Sequence, residues 1–238
     1  MSTLAVIGGS GLARLPELAV TRRQIIRTPY GLPSAPLLFG RVGAHDIVFL
    51  ARHGLNNTIA PAAINYRANI WALHHIGIES VVSVSAVAAL DEDFADGSLV
   101  VPHDLIDYTC GRTGSFADES GSPAYLDFRL PYDEALRQIL LDLIRSRGVP
   151  HRDCAVYACI QGTRLPTAAE SRRMRQDGAD VYGMTGMPEA ALARELDMAY
   201  AHLCGVIGSA AGETGFGKSY GHAAMAAVRS LLADLQAA

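Results

Sequence analysis

Short apolar runs alternate with helical patterns along almost the whole chain, and this alternation is the feature that most constrains the fold. The apolar runs predict buried strands at Leu4–Ile7, Ile47–Leu50, Ser80–Val87, Ser98–Ile106, Ala155–Ile160, Ala179–Met184 and Tyr200–Ala211. Helical spacing predicts helices over Pro61–Ile76, Asp133–Arg147, Thr167–Gly178, from Pro188 onward, and over Gly221–Gln236. This alternation predicts an α/β fold, a three-layer sandwich in which helices flank a mixed, mostly parallel sheet.

Helix-end signals support three of these helices. Asp133 is a candidate N-cap, and Gly148 follows the apolar stripe of the helix that begins there. Thr167-Ala-Ala-Glu170 has the form of a capping box, in which each side chain bonds the backbone of the other residue. Pro188 and Glu189 put a proline and an acid into a first turn, where both are favoured.

The composition excludes several classes of protein. Of the 238 residues, 50% are hydrophobic and 18% are charged, so the chain can bury a core and we expect one domain over residues 1–238. A net charge of −4 gives no reason to expect a nucleic-acid partner. No uncharged apolar run reaches the roughly 18 residues of a membrane span, and no basic segment precedes the first apolar run as in a signal peptide. We therefore expect a cytoplasmic protein with no membrane partner.

The four cysteines predict neither a disulfide framework nor a metal site. Cys110, Cys154, Cys159 and Cys204 form no Cys-x-x-Cys pair, and their spacing from histidines does not suggest zinc. We expect reduced thiols and no bound metal.

Polar residues suited to an oxyanion lie at the ends of three predicted strands. Ser10 lies in a glycine-rich turn, Arg52 and His53 follow the second strand, and Thr185 precedes a helix. Turn N–H groups, an arginine fork and a helix N-terminus each favour an anion, and ligands collect at the carboxyl ends of strands in α/β sheets. We therefore expect a shared anion site, although each residue alone could equally be a turn residue, a surface charge, a buried imidazole or a helix cap.

A second glycine-rich segment, Gly212-Glu-Thr-Gly-Phe-Gly217-Lys218-Ser219, matches the phosphate-cradling P-loop pattern. A nucleotide triphosphatase also needs a downstream strand with an acid for Mg²⁺. Only 19 residues follow Ser219, and they are typical of a single helix. A flexible loop with a solvated lysine is the favoured interpretation, and the triphosphatase stays as an alternative.

Seven longer motifs follow one another in the chain. They are Ile7-Gly-Gly-Ser-Gly11, Ala51-Arg-His-Gly54, Ile64-Asn-Tyr-Arg-Ala-Asn-Ile-Trp-Ala-Leu73, Gln161-Gly-Thr-Arg-Leu165, Ala169-Glu-Ser171, Gly178-Ala-Asp-Val181 and Met184-Thr-Gly-Met-Pro-Glu189. In this order they resemble the trimeric purine nucleoside phosphorylase and methylthioadenosine phosphorylase family, from Val6 to about Tyr200. The resemblance implies phosphorolysis, in which inorganic phosphate attacks C1′ of a purine nucleoside as co-substrate, with no cofactor and no metal.

The resemblance also assigns roles to individual residues. It implies that phosphate is held by Ser10, Arg52, His53, Ser85, Ala86 (through its N–H) and Thr185. Met184 would pack against the ribose. The long loop with Tyr125 is similar to the segment that the family sends into a neighbour's active site, which implies a homotrimer.

Several positions depart from the family pattern and bear on the substrate. The family has Asp or Asn at the end of the last strand to bind the purine, where this chain has Gly208, Ser209 and Ala210. Pro166 replaces a serine or threonine near the base, and Ala88 replaces a glycine. Met225 maps near the 5′ substituent, where an apolar side chain suits a methylthio group better than a hydroxyl.

The motifs around Gln161 and Met184 are most similar to the branch that acts on S-methyl-5′-thioinosine. We therefore expect a 6-oxopurine nucleoside as substrate, with hypoxanthine and 5-methylthioribose 1-phosphate as products in purine salvage. A methylthioadenosine phosphorylase and a catalytically impaired purine or phosphate binder remain the alternatives.

Overall fold

The structure is a computed structural model that describes residues 3–12, 14–91, 94, 97–117, 125–209 and 220–234. Within these residues the strands are β1 (Thr3–Gly8), β2 (Ala19–Gln24), β3 (Leu37–Val42), β4 (His45–Ala51), β5 (Ile78–Ala89), β6 (Leu99–Val100), β7 (Asp104–Asp107), β8 (His151–Arg152), β9 (Val156–Cys159), β10 (Val181–Gly183) and β11 (Ala199–Ser209). The α-helices are α1 (Tyr66–His75), α2 (Glu134–Ser146), α3 (Ala168–Gln176), α4 (Glu189–Glu195) and α5 (Tyr220–Leu232), and a 3-10 helix spans Pro61–Ala63.

The strands form one mixed sheet around β5. Its main order is β2-β3-β4-β1-β5-β10-β9-β7, while β11 pairs with β5 and β6, and β6 pairs with β8. Within the described residues, the pairs β1–β4, β1–β5, β5–β11, β6–β8, β7–β9 and β9–β10 are parallel, and four others are antiparallel. The predicted mixed, mostly parallel sheet is confirmed.

Helices cover both faces of this sheet. On β11, the hydroxyl of Tyr200 donates a hydrogen bond to Glu189 of α4. Gly205 of the same strand lies against α5, because a Cβ added there would be 3.0 Å from the Cβ of Ala224. Residues 200 and 205 point to opposite faces because side chains alternate along a strand, so α4 and α5 lie on opposite sides. The three-layer arrangement buries a large apolar core that includes Val6, Val82 and Leu203 at 0% exposure.

Three predicted helix starts are confirmed, whereas the helix predicted from Pro61 begins at Tyr66, after the short 3-10 helix Pro61–Ala63. Asp133 accepts a hydrogen bond from the N–H of Leu136 at 2.8 Å, and the Thr167–Glu170 capping box is complete in both directions. Helix α4 begins at Glu189, directly after Pro188. These local signals work because they satisfy N–H groups that the helix itself leaves unpaired.

One expected strand is wrong, and one hairpin is not predicted. The segment Ser98–Ile106 forms two short strands, β6 and β7, which pair with different partners. The hairpin strands β2 and β3 were not expected. Strand β2 lies at the edge of the sheet with mostly exposed side chains, so it carries no apolar run to reveal it.

Among the described residues, no helix is both long enough and apolar enough to cross a membrane.

Candidate active site

The carboxyl ends of β1, β4 and β10 meet beside Ser85 of β5. Strand β1 runs parallel to β5 and ends at Gly8, which pairs with Ala51 at the end of β4. Strand β10 runs antiparallel to β5, and continuing its register places Thr185 opposite Ser85. Strands that arrive from opposite directions along β5 therefore leave a gap where their ends meet.

A cavity of about 400 Å³ opens at this gap. That volume suits a small molecule such as a nucleoside. Its lining comes from six segments of the chain: Gly9, Ser10, His53, Asn57, Thr58, Ile59, Ala60, Pro61, Ser85, Ala86, Thr163, Tyr182, Gly183, Met184, Thr185 and Ile207. Six of the sequence-predicted site residues thus meet at one cavity, namely Ser10, His53, Ser85, Ala86, Met184 and Thr185.

The turn that carries Ser10 requires glycine on both sides. A Cβ on Gly9 would lie 2.8 Å from the carbonyl oxygen of Val84 and 3.4 Å from Arg52 Nε. Gly11 has a φ of +80°, a region that side chains with a Cβ rarely adopt. The turn therefore lies close against β5 and leaves Ser10 exposed at the cavity.

Arg52 lies beneath this turn, and its side chain does not line the cavity. Nη1 donates to Ser83 Oγ at 3.1 Å and to both carboxylate oxygens of Glu189, at 3.1 and 3.3 Å. Nη2 donates to the carbonyl oxygens of Ile7, at 3.2 Å, and Val84. The side chain is 0% exposed. The resemblance implies that Arg52 contacts phosphate directly. In this structure the guanidinium instead binds the carboxylate of Glu189, a residue distant in the sequence.

Glu189 is the centre of a buried polar cluster. Its Oε1 accepts hydrogen bonds from the hydroxyls of Ser83 and Tyr200 as well as from Arg52. Burial alone would lower the pKa of Arg52, but the charge of Glu189 and the smaller effects of the neighbouring tyrosines together outweigh it, so the pKa of Arg52 is raised and the guanidinium stays charged. The floor of the cavity thus contains a compensated ion pair.

His53 lines the cavity with one ring nitrogen already bonded. Its Nδ1 lies 2.7 Å from the carbonyl oxygen of Ile59, which can only accept, so Nδ1 carries the proton. Burial lowers the pKa of His53, and the nearby charge of Arg52 lowers it further, against the opposing effect of the Ile59 bond. His53 is therefore neutral near pH 7, and its Nε2 has a lone pair to offer a ligand.

Two hydroxyls meet at the wall of the cavity. Ser85 Oγ and Thr185 Oγ1 are 3.1 Å apart, and both residues are buried. The N–H groups of Thr185 and Gly186 donate to Tyr157 Oη at 3.3 Å each, which holds the turn after β10. On the other side of Ser85, His202 Nε2 lies 2.8 Å from the serine Oγ.

Arg112 holds the loop that carries Met184 and Thr185. Its Nη1 donates to the carbonyl oxygens of Met184 (3.0 Å) and Met187 (2.5 Å) and to Tyr66 Oη (3.2 Å). Its Nη2 donates to the carbonyl oxygens of Ile160, at 3.4 Å, and Gln161, at 2.8 Å. One guanidinium therefore ties together two loops at the cavity.

The residues expected around the base are distributed differently. Ile207 lines the cavity, and Gly208 and Ser209 follow it at the end of β11. Ala210 lies outside the described residues. Pro166 lines a separate cavity of about 300 Å³, together with Gln161, Arg164 and Glu170, so the structure does not bring it to the first cavity.

Met225 of α5 lines a further cavity of about 550 Å³. This cavity shares Ser10, Ala86 and Ile207 with the first one, so the two are adjoining. Met225 also packs against Gly11, where an added Cβ would lie 2.7 Å from its Cγ.

Tyr125 is 96% exposed, with Leu126 and Leu130 exposed close by in the sequence. The neighbouring segment 118–124 lies outside the described residues, and so does the P-loop-like segment Gly212–Ser219.

Sequence reasoning missed several site residues. Arg112 and His202 lie in no quoted motif. Glu189 ends the motif that begins at Met184, but its pairing with Arg52 was not predicted, because it joins residues distant in the chain. Thr163 lies within the quoted motif Gln161–Leu165 and lines the cavity, so that motif could have located it. In the part of the chain that the structure describes, no group of three His, Cys, Asp or Glu side chains is arranged to hold a metal ion.

Comparisons with known proteins agree with this geometry. The model of the phosphorylase superfamily matches residues 3–235. A Pseudomonas syringae pv. tomato protein named "Probable S-methyl-5'-thioinosine phosphorylase" is 46% identical over 215 residues, which cover 90% of this chain and 87% of that protein. A 6-oxopurine nucleoside phosphorylase of Pyrococcus furiosus is 41% identical over 221 residues, with 90% and 82% covered.

A solved structure shows the same fold. Methylthioadenosine phosphorylase from Schistosoma mansoni in complex with adenine superposes with a TM-score of 0.93 at 27% identity, and the match covers 99% of this chain and 90% of that one. A fold built around β5, a cavity at its strand ends and a family match over nearly the whole length define a phosphorylase. The chain belongs to the phosphorylase superfamily.

Proposed function

We propose that this enzyme catalyses phosphorolysis of a 6-oxopurine nucleoside, S-methyl-5′-thioinosine, to hypoxanthine and 5-methylthioribose 1-phosphate. The observation that carries the proposal is that Ser10, His53, Ser85 and Thr185, which come from four separate segments, line a single cavity. The names of the relatives at 46% and 41% identity support the same reaction class.

In this proposal the phosphate lies among the hydroxyls of Ser10, Ser85 and Thr185. The N–H of Ala86 adds a backbone donor. Neutral His53 offers Nε2 as an acceptor, which suits the P–OH group of monohydrogen phosphate. Several donors on one tetrahedral anion fix its orientation below the sugar.

The reaction needs a positioned nucleophile and a stabilised leaving group. A phosphate oxygen forms the new bond to C1′ while the bond from C1′ to the purine nitrogen breaks. The electron pair of that bond leaves with the purine, which takes up a proton. Phosphate is itself the nucleophile, so the side chains need only bind, orient and stabilise charge.

Arg52 supports this site from below in the proposal. Its positive charge lies under the glycine-rich turn, and Glu189 offsets it. A compensated charge beneath the phosphate leaves the hydroxyls as the direct ligands, so we assign Arg52 the role of a positioning residue in this arrangement.

We assign the 5′ substituent of the nucleoside to the adjoining cavity. It is lined by Ile207, Met225 and Ala226 beside Ser10, with Arg229 as its charged member. An apolar wall favours a methylthio group, because a hydroxyl buried there would lose its hydrogen bonds to water. Met184 lines the first cavity and is placed to pack against the ribose.

The base end favours a 6-oxopurine. The described residues that line the first cavity include no carboxylate to accept hydrogen bonds from a 6-amino group. The lining also includes Asn57, Thr58 and Thr163, and Gly208 and Ser209 directly follow the lining residue Ile207. A methylthioadenosine phosphorylase remains the second candidate, because the S. mansoni structure of that enzyme with adenine has the same fold.

We also propose a homotrimer in the cytoplasm that acts in purine salvage. Tyr125, Leu126 and Leu130 are exposed apolar side chains in one segment, which suits contact with a neighbouring subunit. Cys110 and Cys154 are free, exposed thiols, which suits a reducing compartment.

A substrate panel tests the proposed function. The protein is incubated with S-methyl-5′-thioinosine, S-methyl-5′-thioadenosine or inosine in phosphate buffer, and the released base is quantified by chromatography. We expect hypoxanthine from methylthioinosine at the highest kcat/KM. Faster adenine release would favour the second candidate, and saturable purine binding without turnover would leave only a binding function.

A further inference from the structure

A buried histidine contacts the wall of the cavity from behind. His202 of β11 is 0% exposed, and its Nε2 lies 2.8 Å from Ser85 Oγ, which in turn lies 3.1 Å from Thr185 Oγ1. Ser85 and Thr185 both line the cavity, whereas His202 does not. The three side chains form a hydrogen-bonded row from the core to the ligand site.

The position of the imidazole proton sets the direction of this row. Nδ1 of His202 has no hydrogen-bond partner among the described residues, and the ring of Tyr157 packs beside it with a centroid distance of 4.7 Å. An orphaned buried N–H group is rare in proteins. The environment therefore favours the tautomer in which Nε2 carries the proton and donates it to Ser85 Oγ.

The two tautomers present different faces to an anion. With the proton on Nε2, Ser85 accepts from His202, so the hydrogen of Ser85 is available to Thr185 or to an anion in the cavity. With the proton on Nδ1, Ser85 donates to Nε2, and its hydrogen points away from the cavity. Only the first arrangement lets Ser85 donate to phosphate or pass a hydrogen bond through Thr185 to it.

We propose that His202 is a positioning residue that orients the Ser85 and Thr185 hydroxyls as donors toward the bound phosphate. This inference rests on the proposed function, since it assigns a task within the same site. Burial lowers the pKa of His202 to about 3, and the nearby charge of Arg52 acts in the same direction. The imidazole stays neutral in the working range of pH, so it supplies direction and not charge.

Substitution of His202 tests this role through the kinetics of phosphate. His202→Leu removes the donor, while His202→Gln can place an amide N–H at a position like that of Nε2. We expect His202→Leu to raise the KM for phosphate about tenfold, the effect of losing one oriented hydrogen bond, and His202→Gln to restore most of it. The KM for the nucleoside should change less than about twofold. His74→Gln, on an exposed helical residue, is the matched control.

A double-mutant cycle shows whether the effect passes through Ser85. In a Ser85→Ala background the row is already broken, so adding His202→Leu should raise the phosphate KM little further. If His202→Leu raised the phosphate KM by the same factor with and without Ser85→Ala, the proposal would be overturned. It would also be overturned if His202→Leu raised the KM for phosphate and for the nucleoside alike and His202→Gln restored neither.

A spectroscopic measurement covers the case in which His202→Leu does not fold. The ¹⁵N chemical shifts of the two imidazole nitrogens in the wild-type protein report which one carries the proton. We expect the protonated nitrogen to be Nε2, and a proton on Nδ1 would overturn the proposal. Wild-type protein that lacks phosphate-dependent turnover would instead contradict the proposed function, whatever the His202 tautomer.

Discussion

Arg52 and Glu189 form an ion pair in which both side chains are completely buried, with Nη1 and Oε1 3.1 Å apart. The two residues are separated by 137 positions in the sequence, and their contact joins the end of β4 to the start of α4. Because the pair lies under the turn that carries Ser10, its integrity fixes the floor of the candidate phosphate site.

Glu189→Gln should destabilise the protein strongly. The substitution leaves the charge of Arg52 buried without compensation, which typically costs about 3–5 kcal/mol. Urea unfolding followed by circular dichroism measures the loss. Asp46→Asn removes the partner of Arg41 in an exposed pair and is the control, with little expected change. Equal midpoints for the two variants would contradict the importance of the buried pair.

The stability of the protein should fall as the pH drops below about 6.5, the pKa of a histidine in an unfolded chain. Burial lowers the folded-state pKa of His202 to about 3, so between these values the unfolded chain binds a proton that the folded chain does not. The free energy of unfolding then decreases by about 1.4 kcal/mol per pH unit for this group. The lowered pKa of His53 adds an effect of the same sign.

Urea unfolding at pH 7, 6 and 5 checks this dependence above the range where most carboxylates titrate. His202→Gln removes one of the two histidines and should reduce the loss of unfolding free energy between pH 6 and pH 5. An unchanged slope in this variant would contradict the lowered pKa of His202 in the folded protein.

Arg112→Lys should lower kcat/KM by about 10- to 100-fold, because small misplacements of positioned groups are costly in catalysis. A lysine has one ammonium group and cannot reach all five oxygens that the guanidinium contacts, including the carbonyls of Met184 and Gln161. Steady-state kinetics compare it with Arg145→Lys, a substitution of an exposed helical arginine. Equal activity in the two variants would refute the role of Arg112.

Met225→Ser should reduce the preference for a 5′-methylthio group over a 5′-hydroxyl. The substitution adds a polar group to the wall of the adjoining cavity and removes apolar contact, which is worth about tenfold or more in discrimination. The measured quantity is the ratio of kcat/KM for methylthioinosine to that for inosine. Met198→Ser, a substitution in the core, should leave this ratio unchanged even if it lowers stability.

Much of the fold could be predicted from local signals in the sequence. The Asp133 cap and the Thr167–Glu170 capping box act within one turn of a helix, so a few neighbouring residues suffice to reveal them. Strand β2 could not be found in this way, because an exposed edge strand needs no apolar run. The segment Ser98–Ile106 looked like one strand, since its division into β6 and β7 depends on two distant partners.

Some features of the candidate site could likewise be predicted from the sequence, and others could not. Ser10, His53 and Thr185 lie next to strand ends, and strand order alone brings such residues together. The orientation of Arg52 away from the cavity was not predictable, because it depends on Glu189 and Ser83 in other elements. The contact between His202 and Ser85 likewise arises only when β11 pairs with β5.

In the proposed reaction, inorganic phosphate is the nucleophile in this cavity. The most direct measurement incubates the protein with S-methyl-5′-thioinosine, with and without phosphate, and follows hypoxanthine by absorbance and the sugar phosphate by ³¹P NMR. We expect equal amounts of hypoxanthine and 5-methylthioribose 1-phosphate, and no release without phosphate. Hypoxanthine released at the same rate in phosphate-free buffer would contradict it.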